Sequence, residues 1–204
     1  ILHPVTSIGR VINILERGMA SLKRLDEVFN TKPQIKDGEK AISKKIEGSI
    51  VINNLSFAYP GTETKVLEDI NINIPKGHTV GIVGRTGSGK STIANLLLKL
   101  YNADQGKIFI DGIDINEYSL ETLRDAFGYV PQDNFLFSAS IKDNIVFFKP
   151  GYSDSEIENA AKNSCIYDSI ISCPDGFDTI LGERGVNLSG GQKQRISIAR
   201  AIIR

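Results

Sequence analysis

Apolar residues near the start of the chain fall at Val5, Ile8, Ile12, Leu15, Met19 and Leu22, in alternating steps of three and four. That spacing puts them on one face of a helix. Leu25 and Val28 or Phe29 continue the stripe, and Lys32-Pro33 ends it, because the residue before a proline is pushed out of the helical region. A helix with such a stripe needs a partner, since isolated amphipathic helices are marginal in water. Two arrangements are open at this point: the helix packs on its own domain, or it enters as a stalk from an upstream domain. Residues 34–47 are polar around Asp37-Gly38 and read as a linker.

The period then changes from helical to alternating. Ile50 and Ile52 share a face, Asn53-Asn54 breaks the phase, and Leu55, Phe57 and Tyr59 resume it before the turn Pro60-Gly61. A second strand alternates at Ile70, Ile72 and Ile74 and stops at Pro75-Lys76-Gly77. The pair is expected to be antiparallel, with one face buried. Thr79 to Val83 reads as a short buried strand, and a helix from Ser91 to Leu100 presents Ile93, Leu96, Leu97 and Leu100. Lys107 to Ile110 and Phe127 to Val130 read as further strands. From Ser138 to Thr179 the pattern is helical, broken at Lys149-Pro150-Gly151 and at Cys173-Pro174-Asp175-Gly176, and a last helix starts near Gly191.

Composition removes several classes of function. Lys plus Arg and Asp plus Glu each number 24, so no net basic charge points to nucleic acid. Cys165 and Cys173 fit neither a metal-ligand spacing nor a disulfide framework and read as free thiols. No run of about 18 apolar residues is present to cross a bilayer. The chain opens Ile1-Leu2-His3-Pro4 without an initiator Met or a signal segment, which suggests part of a longer polypeptide.

The chemistry is concentrated in two glycine-rich turns. Gly84-Arg85-Thr86-Gly87-Ser88-Gly89-Lys90-Ser91 is a phosphate-binding loop, with Thr92 reinforcing it. Its glycines let backbone N–H groups approach phosphate oxygens at the positive end of a helix. Lys90 is expected to reach the β- and γ-phosphates and Ser91 to hold Mg²⁺. The alternative, a glycine-rich turn with no ligand, is disfavoured by the strand expected before it and the helix after it. The second turn, Leu188-Ser189-Gly190-Gly191-Gln192, also opens a helix and exposes several N–H donors and a hydroxyl. Alone it is compatible with an ordinary serine N-cap. Beside a phosphate loop it suggests two copies arranged head to tail, each lending this turn to the other's nucleotide.

Together with Val130-Pro131-Gln132-Asp133 and the run Lys193-Gln194-Arg195, these motifs resemble the nucleotide-binding domain of ABC transporters over about residues 48–204. The resemblance implies an α/β fold: a P-loop NTPase core with a parallel sheet, an antiparallel β subdomain and a helical signature subdomain at about 138–187. It implies ATP and Mg²⁺ as cofactors, held by Gly84 to Thr92 and by Gln132, whose counterpart in the family contacts Mg²⁺ and the attacking water. Lys90 and Gln132 are the expected catalytic residues, and Ser91 and Gln132 the expected metal ligands. Tyr59 matches the aromatic loop that stacks on adenine, an interaction worth about 1–3 kcal/mol. Ser189, Gly190, Gly191 and Gln192 match the signature turn.

Three segments resemble exporter-type members of the family. They are Phe135 to Ile145, the loop Thr179 to Gly185 with Glu183 at its charged coupling position, and Gly18 to Leu25. The last resembles the cytosolic end of the final transmembrane helix of fused exporters, and it favours the stalk reading for residues 1–33. The resemblance implies a homo- or heterodimer of such domains, joined to a membrane domain of the same polypeptide, on the cytosolic face of a plasma or inner membrane. The family's next motifs, a hydrophobic strand ending in Asp-Glu and a switch histidine, are not matched up to Arg204. His3 and His78 lie elsewhere. The expectation is weak or conditional ATP binding and essentially no hydrolysis by this polypeptide alone, with a central parallel strand missing, exposed ladder groups and an unfilled core. Two alternatives remain: a non-transport ABC ATPase, and a nucleotide-sensing module that never turns ATP over.

Overall fold

The computed structural model describes residues 2–38 and 41–204, without the side chains of residues 2–8 and of Arg184. Val5 and Ile8 of the stripe, His3, and the Arg184 side chain of the exporter-like loop therefore lie outside the described side chains. The chain divides into two compact units, residues 1–36 and 37–204. The first is one helix, α1 (Leu2–Asn30), whose apolar residues Ile12, Leu15, Met19, Leu22 and Leu25 are all exposed. No described helix is long and apolar enough to cross a membrane.

The second unit is built on a four-stranded antiparallel sheet in the order β2-β1-β3-β4. Its strands are β1 (Ile50–Ala58), β2 (Lys65–Ile74), β3 (Ile108–Ile110) and β4 (Ile113–Asp114). The isoleucines that alternate along the sequence face each other across the ladder, Ile50 opposite Ile74 and Ile52 opposite Ile72. The phase break at Asn53-Asn54 is a bulge: the register shifts between Ile52 and Leu55. Asn54 adopts φ 43°, and its N–H donates to Asn71 Oδ1 at 2.8 Å. An extra residue of this kind bends the strand and resets which face each side chain takes.

One core lies beneath this sheet and the helix α2 (Lys90–Leu97). It gathers Ile52, Leu55, Leu67, Ile93, Leu96, Ile108, Ile110, Tyr118 and Leu123. Leu123 belongs to α3 (Leu120–Asp125), a short helix that Ser119 caps and that the periodicity did not reveal. Asp37 and Ile42, within the stretch read as a linker, are docked here. Ile42 N donates to Glu117 O, Ser119 N donates to Ile42 O, and Asp37 Oδ1 accepts from Leu120 N at 2.7 Å.

A second core joins α4 (Ile141–Val146), α5 (Asp154–Asn163), α6 (Tyr167–Ile171) and α7 (Gly190–Ile202). It contains Leu136, Ile145, Ile157, Ile170, Leu181, Ile196 and Ala199, so the helical half takes in α7 as well as residues 138–187.

Two expected strands are corrected. Thr79 to Val83 and Phe127 to Val130 form no ladder with any described residue. The first is also not buried, with Val83 97% exposed. A strand is stabilised by its neighbours' N–H and C=O groups, and neither segment has such a neighbour among the described residues. The second instead runs against the end of α7, where a Cβ on Gly128 would come within 2.5 Å of the Ala201 carbonyl oxygen.

Candidate nucleotide site

The phosphate loop owes its shape to two glycines and one lysine. Gly87 (φ 84°) and Gly89 (φ 83°) both lie in the left-handed region, which L side chains enter only at a cost. At Gly89 there is also no room, because a Cβ would meet Leu67 Cδ2 at 2.6 Å and the Val66 carbonyl oxygen at 3.0 Å. Gly89 is the N-cap of α2, and no side chain caps that helix. Its leading N–H groups are thus left without a side-chain acceptor, the usual construction of an anion site. The Lys90 ammonium closes the loop on itself, donating to Gly84 O at 2.8 Å and Arg85 O at 2.7 Å, with Ser88 Oγ at 3.4 Å.

A cavity of about 480 Å³ opens over this loop, lined by Tyr59, Val66, the loop from Thr86 to Thr92, and Gln132. Of the residues expected on this side of the site, only Gly84 and Arg85 do not line it; their carbonyls hold Lys90 instead. The Tyr59 ring is fixed before any ligand arrives. Its hydroxyl bonds Thr92 Oγ1 at 2.9 Å, and it packs edge-on to Phe57 and Tyr101, with centroids 5.2 and 5.0 Å away. Such edge-to-face pairs add about 0.5–1.5 kcal/mol beyond their buried area.

The second turn is built by ordinary helix capping. Gln192 N donates to Ser189 Oγ at 3.3 Å, and Ser189 N donates to Gln192 Oε1 at 2.9 Å, a reciprocal capping box. None of Ser189, Gly190, Gly191 and Gln192 lines the cavity over the phosphate loop. Gly190 lines a separate one, also about 480 Å³, with Gln132 to Phe135, Lys193 and Gln194. Gln132 alone is shared by the two. Glu183 stands apart from both, exposed in the 3₁₀ turn Glu183–Gly185.

Residues 67–204, which hold the phosphate loop, Gln132 and the second turn, match the model of the family described as ABC transporter. The chain belongs to the ABC transporter family. It is 42% identical over 202 residues to the "Probable multidrug resistance ABC transporter ATP-binding/permease protein YheI" of Bacillus subtilis, covering 99% of this chain and 34% of that protein. It is 43% identical over 205 residues to an ATP-dependent lipid A-core flippase of Sodalis glossinidius, covering all of this chain and 35% of the flippase. Among solved structures, a bacterial Atm1-family ABC exporter with ATP bound superimposes with a TM-score of 0.85 at 36% identity, over 99% of this chain and 36% of that one. The chain thus spans about a third of the length of these relatives, the nucleotide-binding portion of ABC exporters, and shares their α/β P-loop fold.

Within this ABC domain the structure adds residues to which the motifs assigned no role. Asn144, fully buried on α4, accepts from Phe137 N through Oδ1 at 2.8 Å. Its amide donates to the carbonyls of Phe137 and Ser140, each at 3.0 Å. Arg200, near the end of α7, donates from Nε to Asn144 O at 2.8 Å. A second nitrogen donates to Phe135 O at 3.2 Å and a third to Asn144 Oδ1 at 3.3 Å. The sequence did carry a signal for both. Asn144 sits in the apolar stripe with Ile141 and Ile145, and Arg200 follows Ile196 and Ala199 on the buried face of α7. Tyr101, which packs against Tyr59, carried none, and the bond from Thr92 of the phosphate loop to the Tyr59 hydroxyl arises only in the fold.

Proposed function

We propose that this chain is the ATP-binding part of an exporter-type ABC transporter, in which ATP-driven closure of two such domains and subsequent hydrolysis move a substrate across a membrane. The observation that carries the reading is the division of the site: Tyr59, Gly87 to Thr92 and Gln132 line one cavity, and the Ser189–Gln192 turn does not. One chain therefore offers two phosphate-type turns that do not meet. A second copy or a related domain, placed head to tail, brings a Ser189 turn to each phosphate loop.

In this reading Tyr59 stacks on the base, the N–H groups of Gly87 to Thr92 and the Lys90 ammonium hold the phosphates, and Gln132 orients water. Lys90 must exchange its carbonyl acceptors for phosphate oxygens, which are stronger partners because the bond is then charged on both sides. The Ser91 hydroxyl and the Gln132 amide oxygen are neutral, hard donors on one cavity and fit Mg²⁺. Bound there, Mg²⁺ supplies charge neutralisation at the phosphates. No Asp, Glu or His lines that cavity among the described residues, so this polypeptide alone is expected to hold ATP better than it cleaves it. Glu183, exposed in its turn, faces the membrane domain of the same polypeptide in this scheme, at the cytosolic face. The relatives named as permease and flippase support that placement.

The test is ATP binding and ATP-dependent dimerisation of the Lys90→Ala variant, with melting in the absence of ATP as the control for folding. Loss of both with an unchanged melting curve is expected. Binding and dimerisation that survive intact overturn the proposal.

A further inference from the structure

We infer that Arg200 is a positioning residue that ties the segment following Gln132 to α7, so that a nucleotide felt at Gln132 resets the Ser189–Gln192 turn at the other end of that helix. The inference rests on the proposed ATP site and deepens it.

The geometry begins with where Gln132 stands, on the border of the two cavities, one over the phosphate loop and one against the first turn of α7. Three residues later the chain is clamped. Arg200 holds the Phe135 carbonyl and two oxygens of Asn144, while Asn144 holds both the N–H and the carbonyl of Phe137. Leu136, between those two residues, is fully buried in the core that includes Ile196 and Ala199 of α7. The guanidinium also lies 5.0 Å over the Phe147 ring, at the left-handed end of α4. One side chain on α7 thus touches the stretch after Gln132 and both the body and the end of α4.

Arg200 forms no ion pair with any described carboxylate. Burial, and then the charge of neighbouring Arg204, pull its pKa below the usual arginine value. A cation placed here for stability alone is a poor choice. A planar fork that fixes the angle between three acceptors is a good one. The segment between Arg200 and Ser189 is continuous helix, so a shift of the clamp is carried about 16 Å along a stiff rod.

Amide hydrogen exchange with and without Mg-ATP tests this, at a concentration where light scattering gives the mass of one chain. In the wild-type chain, Mg-ATP is expected to protect residues 84–92 and also residues 189–194. In Arg200→Lys, which keeps the charge and loses the fork, protection at 84–92 should persist, while that at 189–194 falls roughly threefold or more. Phe147→Leu serves as a second variant, removing the ring and leaving every hydrogen bond; it should weaken the response less. Undiminished protection at 189–194 in Arg200→Lys, or wild-type protection confined to 84–92, overturns the inference alone. Absence of protection at 84–92 in the wild type overturns the ATP site, and the inference with it.

Discussion

The turn before α2 and the turn before α7 both open a helix with glycine and serine, and they are held in place by opposite means. The first has no side-chain cap and takes its shape from left-handed glycines and from a lysine bonded to its own loop's carbonyls. The second is closed by a capping box between Ser189 and Gln192, and its glycines carry no unusual φ. The first turn is therefore specialised in its backbone and lacks a side-chain cap, which suits the phosphate proposed for it. The second is an ordinary, satisfied helix start.

The largest effect should come from Gly89→Ala. A Cβ there is strained by φ and collides with Leu67 and with the Val66 carbonyl, so a loss of about 2–4 kcal/mol is expected. Urea denaturation measures it; a loss under about 1 kcal/mol would show that the loop and β2 can separate cheaply, and the contrast with the second turn would collapse.

Asn144→Ala comes next. It removes the acceptor of Phe137 N–H and one acceptor of Arg200 at a fully buried position. Unsatisfied buried groups of this kind cost about 1–3 kcal/mol. Denaturation followed by hydrogen exchange should localise the loss to 135–147 and α7, with the sheet half unaffected. A loss spread evenly over both halves would mean that the two cores do not behave as separate anchors.

These two residues also mark how far the sequence could be read. Gly89 stood in a motif whose spacing states its own chemistry, and the alternating isoleucines of β1 and β2 announced their pairing, down to the bulge at Asn53-Asn54. Segments 79–83 and 127–130 misled, because a short apolar run says that a strand is possible and not which neighbour bonds it. Arg200 and Asn144 were overlooked for a different reason. Arg200 finds its partners 56 and 65 residues away, Asn144 meets Arg200 across the same 56 residues, and a local pattern shows only that a polar group interrupts an apolar stripe.

Acid should separate the halves more gently. Asp111 accepts hydrogen bonds from the N–H groups of Glu47, Gly48 and Ser49 and from the Ser49 hydroxyl, tying the end of β3 to the start of β1. Burial pushes its pKa up, but the N–H donors, with the hydroxyl, outweigh that and hold it below the usual carboxylate value. A depressed folded pKa means that this stabilisation is complete above the unfolded value of about 3.9 and is lost as pH falls through the folded one. Asp111→Asn should therefore melt earlier than wild type at neutral pH and approach it under acid. A gap independent of pH would remove the charge from the explanation. At the second turn, Ser189→Ala should cost about 1 kcal/mol, the usual worth of an N-cap, read as earlier exchange of residues 190–194.

The smallest expected change in stability belongs to Gly190→Ala. A Cβ there meets nothing within 4 Å, and the backbone is not left-handed. Position 190 begins α7, where alanine is at least as good a helix residue as glycine, by up to about 1 kcal/mol in a helix interior. Folding gives no reason for glycine at 190, in contrast to 89, where packing and φ both demand it. What remains, in the proposed head-to-tail dimer, is access: an added methyl would hold a partner's phosphate away from the N–H groups of the turn. Gly190→Ala should thus melt like wild type, or slightly later, and bind ATP at its own phosphate loop with unchanged affinity. ATP-dependent dimerisation, measured by light scattering, should fall. If dimerisation persists at full strength, the second turn is only a well-capped helix start, and the two turns differ in construction without sharing a ligand.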